Sequence, residues 1–150
     1  MEALAAKPDL STFLTAVGVA GLADTLNSAG PFTVFVPNNE AFAKIPSKIL
    51  WSYQNPESID QFKAMVSRHI VPNIALGKDK YYGLVGEVDQ KYYGIELETI
   101  GGETILAVKG DVIWPDHTKI KSLTGKAYVK NDMNKWCVKN GCIYIIDNVL

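Results

Sequence analysis

The stretch from Pro31 to Pro46, PFTVFVPNNEAFAKIP, limits the folds open to this chain more than any other segment. Phe32 to Val36 is a run of β-branched and aromatic residues, the composition of a strand buried on both faces. Pro37 has no N–H to offer a ladder, so the strand is predicted to stop there. Asn38 or Asn39 is placed to cap the element that follows, and Glu40 sits in its first turn, where the helix dipole favours a negative charge. Ala41, Phe42 and Ile45 supply an apolar face, and Pro46 ends it. A strand that runs into a helix with almost no loop fixes how helix and sheet meet, but it carries no chemistry of its own.

Helical patterning surrounds this junction. Upstream, Leu10, Phe13, Leu14 and Val17 recur at helical spacing behind Pro8 and Asp9, with Asp9 as the predicted N-cap. Gly18 and Gly21 interrupt that helix, and Leu22, Ala23 and Leu26 make a second short one before the loop Asn27–Gly30. Downstream comes a short segment, Lys48 to Tyr53, and then a break at Asn55-Pro56. Ser58 is placed to cap a helix reaching about Ile70, with Ile59, Phe62, Met65 and Val66 on one stripe. His69 falls on the same stripe. One reading makes it a general base or a ligand. The other makes it a core histidine whose ring nitrogens are satisfied by backbone or a hydroxyl. The second is favoured, because no nucleophile or acid lies near it in sequence and an unpaired buried polar group costs about 1–3 kcal/mol.

Beyond Pro72 the pattern turns to strands. Lys80-Tyr81-Tyr82-Gly83-Leu84 is echoed by Lys91-Tyr92-Tyr93-Gly94-Ile95, too short for a repeat architecture. Tyr81, Tyr82, Tyr92 and Tyr93 read either as sheet packing or, with Trp136, as a candidate interaction surface. Ile95, Leu97 and Thr99 alternate with Glu96 and Glu98, a strand with one wet face. Gly101-Gly102 reads as a two-residue type I′ turn into Thr104–Val108. Val112–Trp114, Lys119–Leu123 and Lys126–Val129 follow as short strands. Asn140-Gly141 reads as a hairpin turn into CIYIIDNVL, which is apolar enough for a central strand. Helices first and strands afterwards argue an α+β fold, with antiparallel strands and a helical layer on one side.

Composition narrows function by exclusion. A net charge of −1 makes no case for nucleic acid or an anionic membrane, both of which need a concentrated basic surface. No apolar run approaches the roughly 20 residues that span a bilayer. There is no GxSxG elbow, HExxH or phosphate loop. Cys137 and Cys142 read either as a disulfide closing a small loop or as two free thiols; a zinc site would need His69 and His117 brought in from distant places.

Three segments resemble one family, the fasciclin-type adhesion domain. Thr33 to Phe42, TVFVPNNEAF, is similar to that family's first signature, with Val36 and Asn38 where alanine and threonine are usual. His69-Ile70-Val71-Pro72 resembles its Tyr-His-Val-Val-Pro segment, with Arg68 at the tyrosine position. Asn140 to Leu150, NGCIYIIDNVL, resembles its closing signature, with Cys142 and Tyr144 replacing valine and histidine. The resemblance implies a β-sandwich or wedge of about seven mainly antiparallel strands with N-terminal helices stacked against it. The structural motif residues are then Thr33, Phe35, Pro37, Asn39, Phe42, His69, Asn140, Gly141 and Asp147. It also implies a single domain, residues 1–150, from a longer secreted or surface protein. An extracellular or cell-surface setting follows, with a cell-surface or matrix protein, or a second copy, as partner. It implies no cofactor and no enzyme activity. The Asp-Ile pair tied to integrin binding in animal members is replaced by Lys135-Trp136, so integrin recognition is not assigned.

The function expected is a noncatalytic adhesion and interaction module. Two other readings stand beside it. One is a carrier of a small hydrophobic ligand lined by Trp51, Tyr53, Trp114 and Trp136. The other is a hydrolase using His69 with Asp60 or Asp147.

Overall fold

The structure, a computed structural model, describes residues 2–52, 55–77, 94–108, 118–130 and 137–150. Among the described residues six α-helices fill most of the first half: α1 Glu2–Ala5, α2 Ser11–Val19, α3 Ala23–Asn27, α4 Asn39–Ala43, α5 Ser47–Ser52 and α6 Ile59–Ser67. Four strands form an inner sheet: β1 Phe32–Pro37, β2 Ile70–Pro72, β7 Cys137–Val138 and β8 Gly141–Ile146, in the order β2-β1-β8-β7. Four more form an outer sheet in sequential order: β3 Gly94–Glu98, β4 Thr104–Val108, β5 Lys119–Lys121 and β6 Lys126–Tyr128. The class is α+β with mostly antiparallel strands, as predicted. The exception is β1, which pairs parallel with β8 along its whole length, from Phe32 opposite Gly141 to Pro37 opposite Ile146.

The layers run helices, inner sheet, outer sheet. Because strand side chains alternate, β1, β2 and β8 each serve two cores. Val34 and Val36 of β1 and Ile143 of β8 meet Leu10, Phe13, Val17 and Leu26 on the helical side. Phe35 and Tyr144 meet Leu97, Ile105, Ile120 and Ala127 of the outer sheet on the other side. That is why all six residues of β1 are buried, and why a run without polar alternation folds as a strand.

The junction after β1 uses both asparagines, for different tasks. The Asn38 side chain caps α4 by accepting from the Ala41 N–H at 2.9 Å. Asn39 reaches back to α2, accepting from the Thr12 N–H at 3.0 Å and donating to the Pro8 carbonyl at 3.1 Å. It takes the role predicted for Asp9, which lies in a 3-10 turn, Pro8–Leu10, and makes no capping bond. Ser58 likewise precedes α6 without a side-chain cap, and α6 stops at Ser67, so Ile70 belongs to β2. Gly18 stays within α2; the chain turns at Gly21, whose φ is 69°.

Two predicted turns differ from their sequence reading. Thr99 and Glu103 close the β3–β4 hairpin, with the Thr99 N–H donating to the Glu103 carbonyl at 2.9 Å and the Gly102 N–H to the Thr99 carbonyl at 2.9 Å. The loop therefore has three residues, and Gly102 alone takes the left-handed conformation, the bulge form rather than type I′. At the β7–β8 hairpin, Val138 pairs with Gly141, so Lys139 and Asn140 are the turn and Gly141 is already strand.

Candidate functional site

Helix α6 delivers Arg68 and His69 to the start of β2, where they meet the end of the chain's closing segment. His69 is 1% exposed. Its Nδ1 lies 2.8 Å from the Met65 carbonyl, and its Nε2 accepts the Leu150 N–H at 3.0 Å. A carbonyl only accepts, so the proton sits on Nδ1. The Phe13 ring packs edge-on at 5.8 Å. Burial pushes the His69 pKa down to about 4, against the Met65 hydrogen bond and with the Arg68 charge. The imidazole is thus neutral, and both ring nitrogens are occupied by backbone. It offers no lone pair to a substrate, and the acids weighed as partners lie elsewhere. Asp147 accepts the Tyr128 N–H at 2.8 Å, and Asp60 is exposed on the first turn of α6.

Arg68, at the position where the resemblance expects tyrosine, ties three segments together. Its Nε and Nη2 donate to the Glu103 carboxylate at 2.5 and 2.8 Å, and its Nη1 donates to Thr124 Oγ1 at 2.8 Å and the Leu150 main-chain oxygen at 3.0 Å. This fork holds the Glu103 carboxyl below its usual range, the hydrogen bond outweighing burial. Nothing in the one-dimensional pattern marks Arg68 for this role, because its partners lie 35 to 82 residues away.

The other predicted motif residues face inward or bind backbone. Thr33 is fully buried; its hydroxyl donates to the Ile74 carbonyl at 2.8 Å and accepts the Leu76 N–H at 2.9 Å. The Phe35 ring stacks on Tyr144 at 5.6 Å, and the Tyr144 hydroxyl donates to the Leu76 carbonyl. Pro37 ends β1 opposite Ile146, and Phe42 is buried among the helices. Asn140 donates to the Leu26 and Ser28 carbonyls at 3.0 and 3.2 Å. Gly141 lets β1 approach: a Cβ there would come within 2.2 Å of the Phe32 carbonyl oxygen. Asn140-Gly141 therefore docks β8 onto β1, a tertiary task, while the turn itself lies one residue earlier.

Cys137 and Cys142 face each other across β7 and β8 and are joined as a disulfide. Tyr81, Tyr82, Tyr92, Tyr93 and Trp136 lie outside the described residues, as do Tyr53, Trp114, His117 and the Lys135-Trp136 pair. A cavity of about 530 Å³ opens between α1 and the β1–β8–β7 face, lined by Leu4, Leu26, Phe32, Val34 and Ile143 among others. His69 is not part of it.

One feature escaped the sequence reading. On the solvent face of the outer sheet, Glu96, Leu106, Lys121 and Lys126 form one row across the four strands. Glu98 and Thr104 lie in the next row on one side, and Lys119 and Tyr128 in the next on the other. The face therefore carries carboxylates on β3 and lysines on β5 and β6. Counting charges along the chain hides this; only the register shows it.

Most of the motif residues are turned inward, into an α+β core of three layers. The model for the Fasciclin domain matches residues 8–150, and the chain belongs to that family. It is 28% identical over 150 residues to Protein sll1483 of Synechocystis sp., covering all of this chain and 71% of that one. It is 30% identical over 140 residues to the uncharacterized protein sll1735 of the same organism, covering 93% and 87%. Human periostin is 30% identical over 146 residues, but this chain spans 15% of its length. A FAS1 domain pair from the insect cell adhesion molecule Fasciclin I shares the fold, with a TM-score of 0.71 at 20% identity over 95% of this chain and 45% of that one.

Proposed function

We propose that this chain is a noncatalytic interaction domain that works outside the cell, contacting a cell-surface or matrix protein. The observation that carries this reading is the fasciclin-domain match from residue 8 to residue 150. One protein that shares its fold is itself a cell adhesion molecule. The state of His69 supports the noncatalytic part: it is neutral, buried and hydrogen-bonded on both nitrogens. The Cys137–Cys142 disulfide suits an oxidising compartment. No helix among the described residues is long and apolar enough to cross a membrane. Display of the domain on beads, scored for capture by cells, tests the reading. Capture above that of an unrelated domain of similar charge is expected, and capture no better than that control would reject it.

The cavity beneath α1 supports a second reading, carriage of a small hydrophobic ligand. A hydrophobic dye bound there should be displaced by lipids or sterols, and failure of every such ligand to displace it would remove this reading.

A further inference from the structure

The solvent face of the outer sheet is divided by charge. Among the described strands, Glu96 and Glu98 are exposed on β3, at one end of the strand order, and Lys121 and Lys126 are exposed on β5 and β6, towards the other. Among the described residues none of these four makes an ion pair; the two pairs present are Arg68–Glu103 and Lys130–Glu40. Between the charged stripes lies Leu106, half-buried on β4, with exposed Thr104 beside it. The inner residues of the same strands, Leu97, Ile105, Ile120 and Ala127, are buried in the core beneath, so the face is rigidly backed.

Strand spacing sets the electrostatics. β3 lies two spacings of about 4.8 Å from β5 and three from β6, roughly 10 and 14 Å. The Debye length at physiological ionic strength is about 8 Å, so the two stripes scarcely neutralise each other within one molecule. A face with acid along one side and base along the other complements itself when a copy is turned about a two-fold axis running along the strands between two stacked sheets. That operation lays β3 of one copy over β6 of its mate and β4 over β5. It sets Glu96 across from Lys126 and the Leu106 side chain against the methylene stem of Lys121.

We propose that this face is a self-recognition surface and that its partner is a second copy of the chain. This names a partner for the adhesive role proposed above and rests on that role for its biological meaning. The area bounds the strength. Two strands of five residues and two of three, each strand about 4.8 Å wide and about 3.4 Å long per residue, cover on the order of 250 Å². A stable dimer buries about 800 Å² per partner. Association between single domains is therefore weak and transient, and it becomes adhesive when many copies face each other across two surfaces.

The test is sedimentation equilibrium of the whole chain up to millimolar concentration, at about 20 mM and about 500 mM salt. Self-association is expected at low salt and should weaken at least tenfold at high salt. Two variants separate this contact from any other: E96K/E98K, whose face is all basic, and K121E/K126E, whose face is acidic apart from Lys119. Each alone should be monomeric, with a thermal transition like the wild type, since all four side chains are exposed. Mixed in equal amounts they should associate at least as tightly as the wild type, which no loss of folding could mimic. A wild type that stays monomeric at low salt, variants that associate as it does, or a mixture that stays monomeric would each overturn the proposal. The readout needs no cells, so its failure leaves capture of cells through another surface standing, and failure of capture leaves self-association standing.

Discussion

Acidification gives the sharpest test of the His69 joint. The folded chain holds His69 at a pKa of about 4, against an ordinary value of 6.5. The unfolded chain takes up a proton as the pH falls through 6.5, and the folded chain does not until about 4. The depressed value thus contributes stability that is complete above pH 6.5 and is lost progressively as the pH falls to about 4. The gap of about 2.5 units corresponds to about 3 kcal/mol at 1.36 kcal/mol per unit, of which about 2 kcal/mol has gone by pH 5. For a chain of this length, a loss of 2 kcal/mol lowers Tm by roughly 4–8 °C. Protonation also has a structural consequence: a proton on Nε2 faces the Leu150 N–H, which now donates to it at 3.0 Å, so the closing segment is released first. The assay is urea unfolding of wild type and His69→Gln at pH 7.5, 5.5 and 4.5. The variant keeps every carboxylate, including Glu103, so the difference between the two pH profiles isolates the histidine. The wild type should lose about 2.5 kcal/mol more than the variant between the extremes. Parallel profiles, or a His69 proton resonance titrating near 6.5, would refute the reasoning.

Three further substitutions probe the inner sheet. Phe35→Ala removes a ring that is 2% exposed and stacked on Tyr144, and should cost about 3–5 kcal/mol in denaturant unfolding; a loss under 1 kcal/mol would show that β1 is not central. Thr33→Val keeps the shape but orphans the Leu76 N–H and the Ile74 carbonyl, for a loss of about 2 kcal/mol or more, and an unchanged midpoint would mean those groups find other partners. Gly141→Ala places a methyl 2.2 Å from the Phe32 carbonyl oxygen, so β1 and β8 must part, for a loss of about 1–3 kcal/mol; a neutral result would contradict the close approach.

Much of the helical layer and of the hairpin pattern was legible because those signals are local. The strand–helix junction follows from Pro37, Asn38 and Glu40 within a few residues of one another. The stripe Phe62, Met65, Val66 and His69 follows from a 3.6-residue period, and the wet and dry faces of β3 follow from a period of two. The motif residues stood out as a resemblance, but their tasks did not. Asn140-Gly141 has turn chemistry in isolation, yet what it does is decided by Leu26, Ser28 and Phe32, more than a hundred residues earlier. Asp9 has the right chemistry for a cap and is displaced by Asn39, which arrives from the next helix but one.

What the sequence determined by itself is the class of fold, the order of its elements and the identity of the buried strand, since each rests on backbone preferences and side-chain periods read over a few residues. The tertiary structure alone decided three things. It set β8 parallel to β1, it made Arg68 the fork that joins α6, the β3–β4 hairpin and the closing segment, and it sorted scattered glutamates and lysines onto opposite sides of one face. Each of these depends on which distant residues become neighbours. That choice is made by the combined burial of both cores rather than by any short stretch of chain.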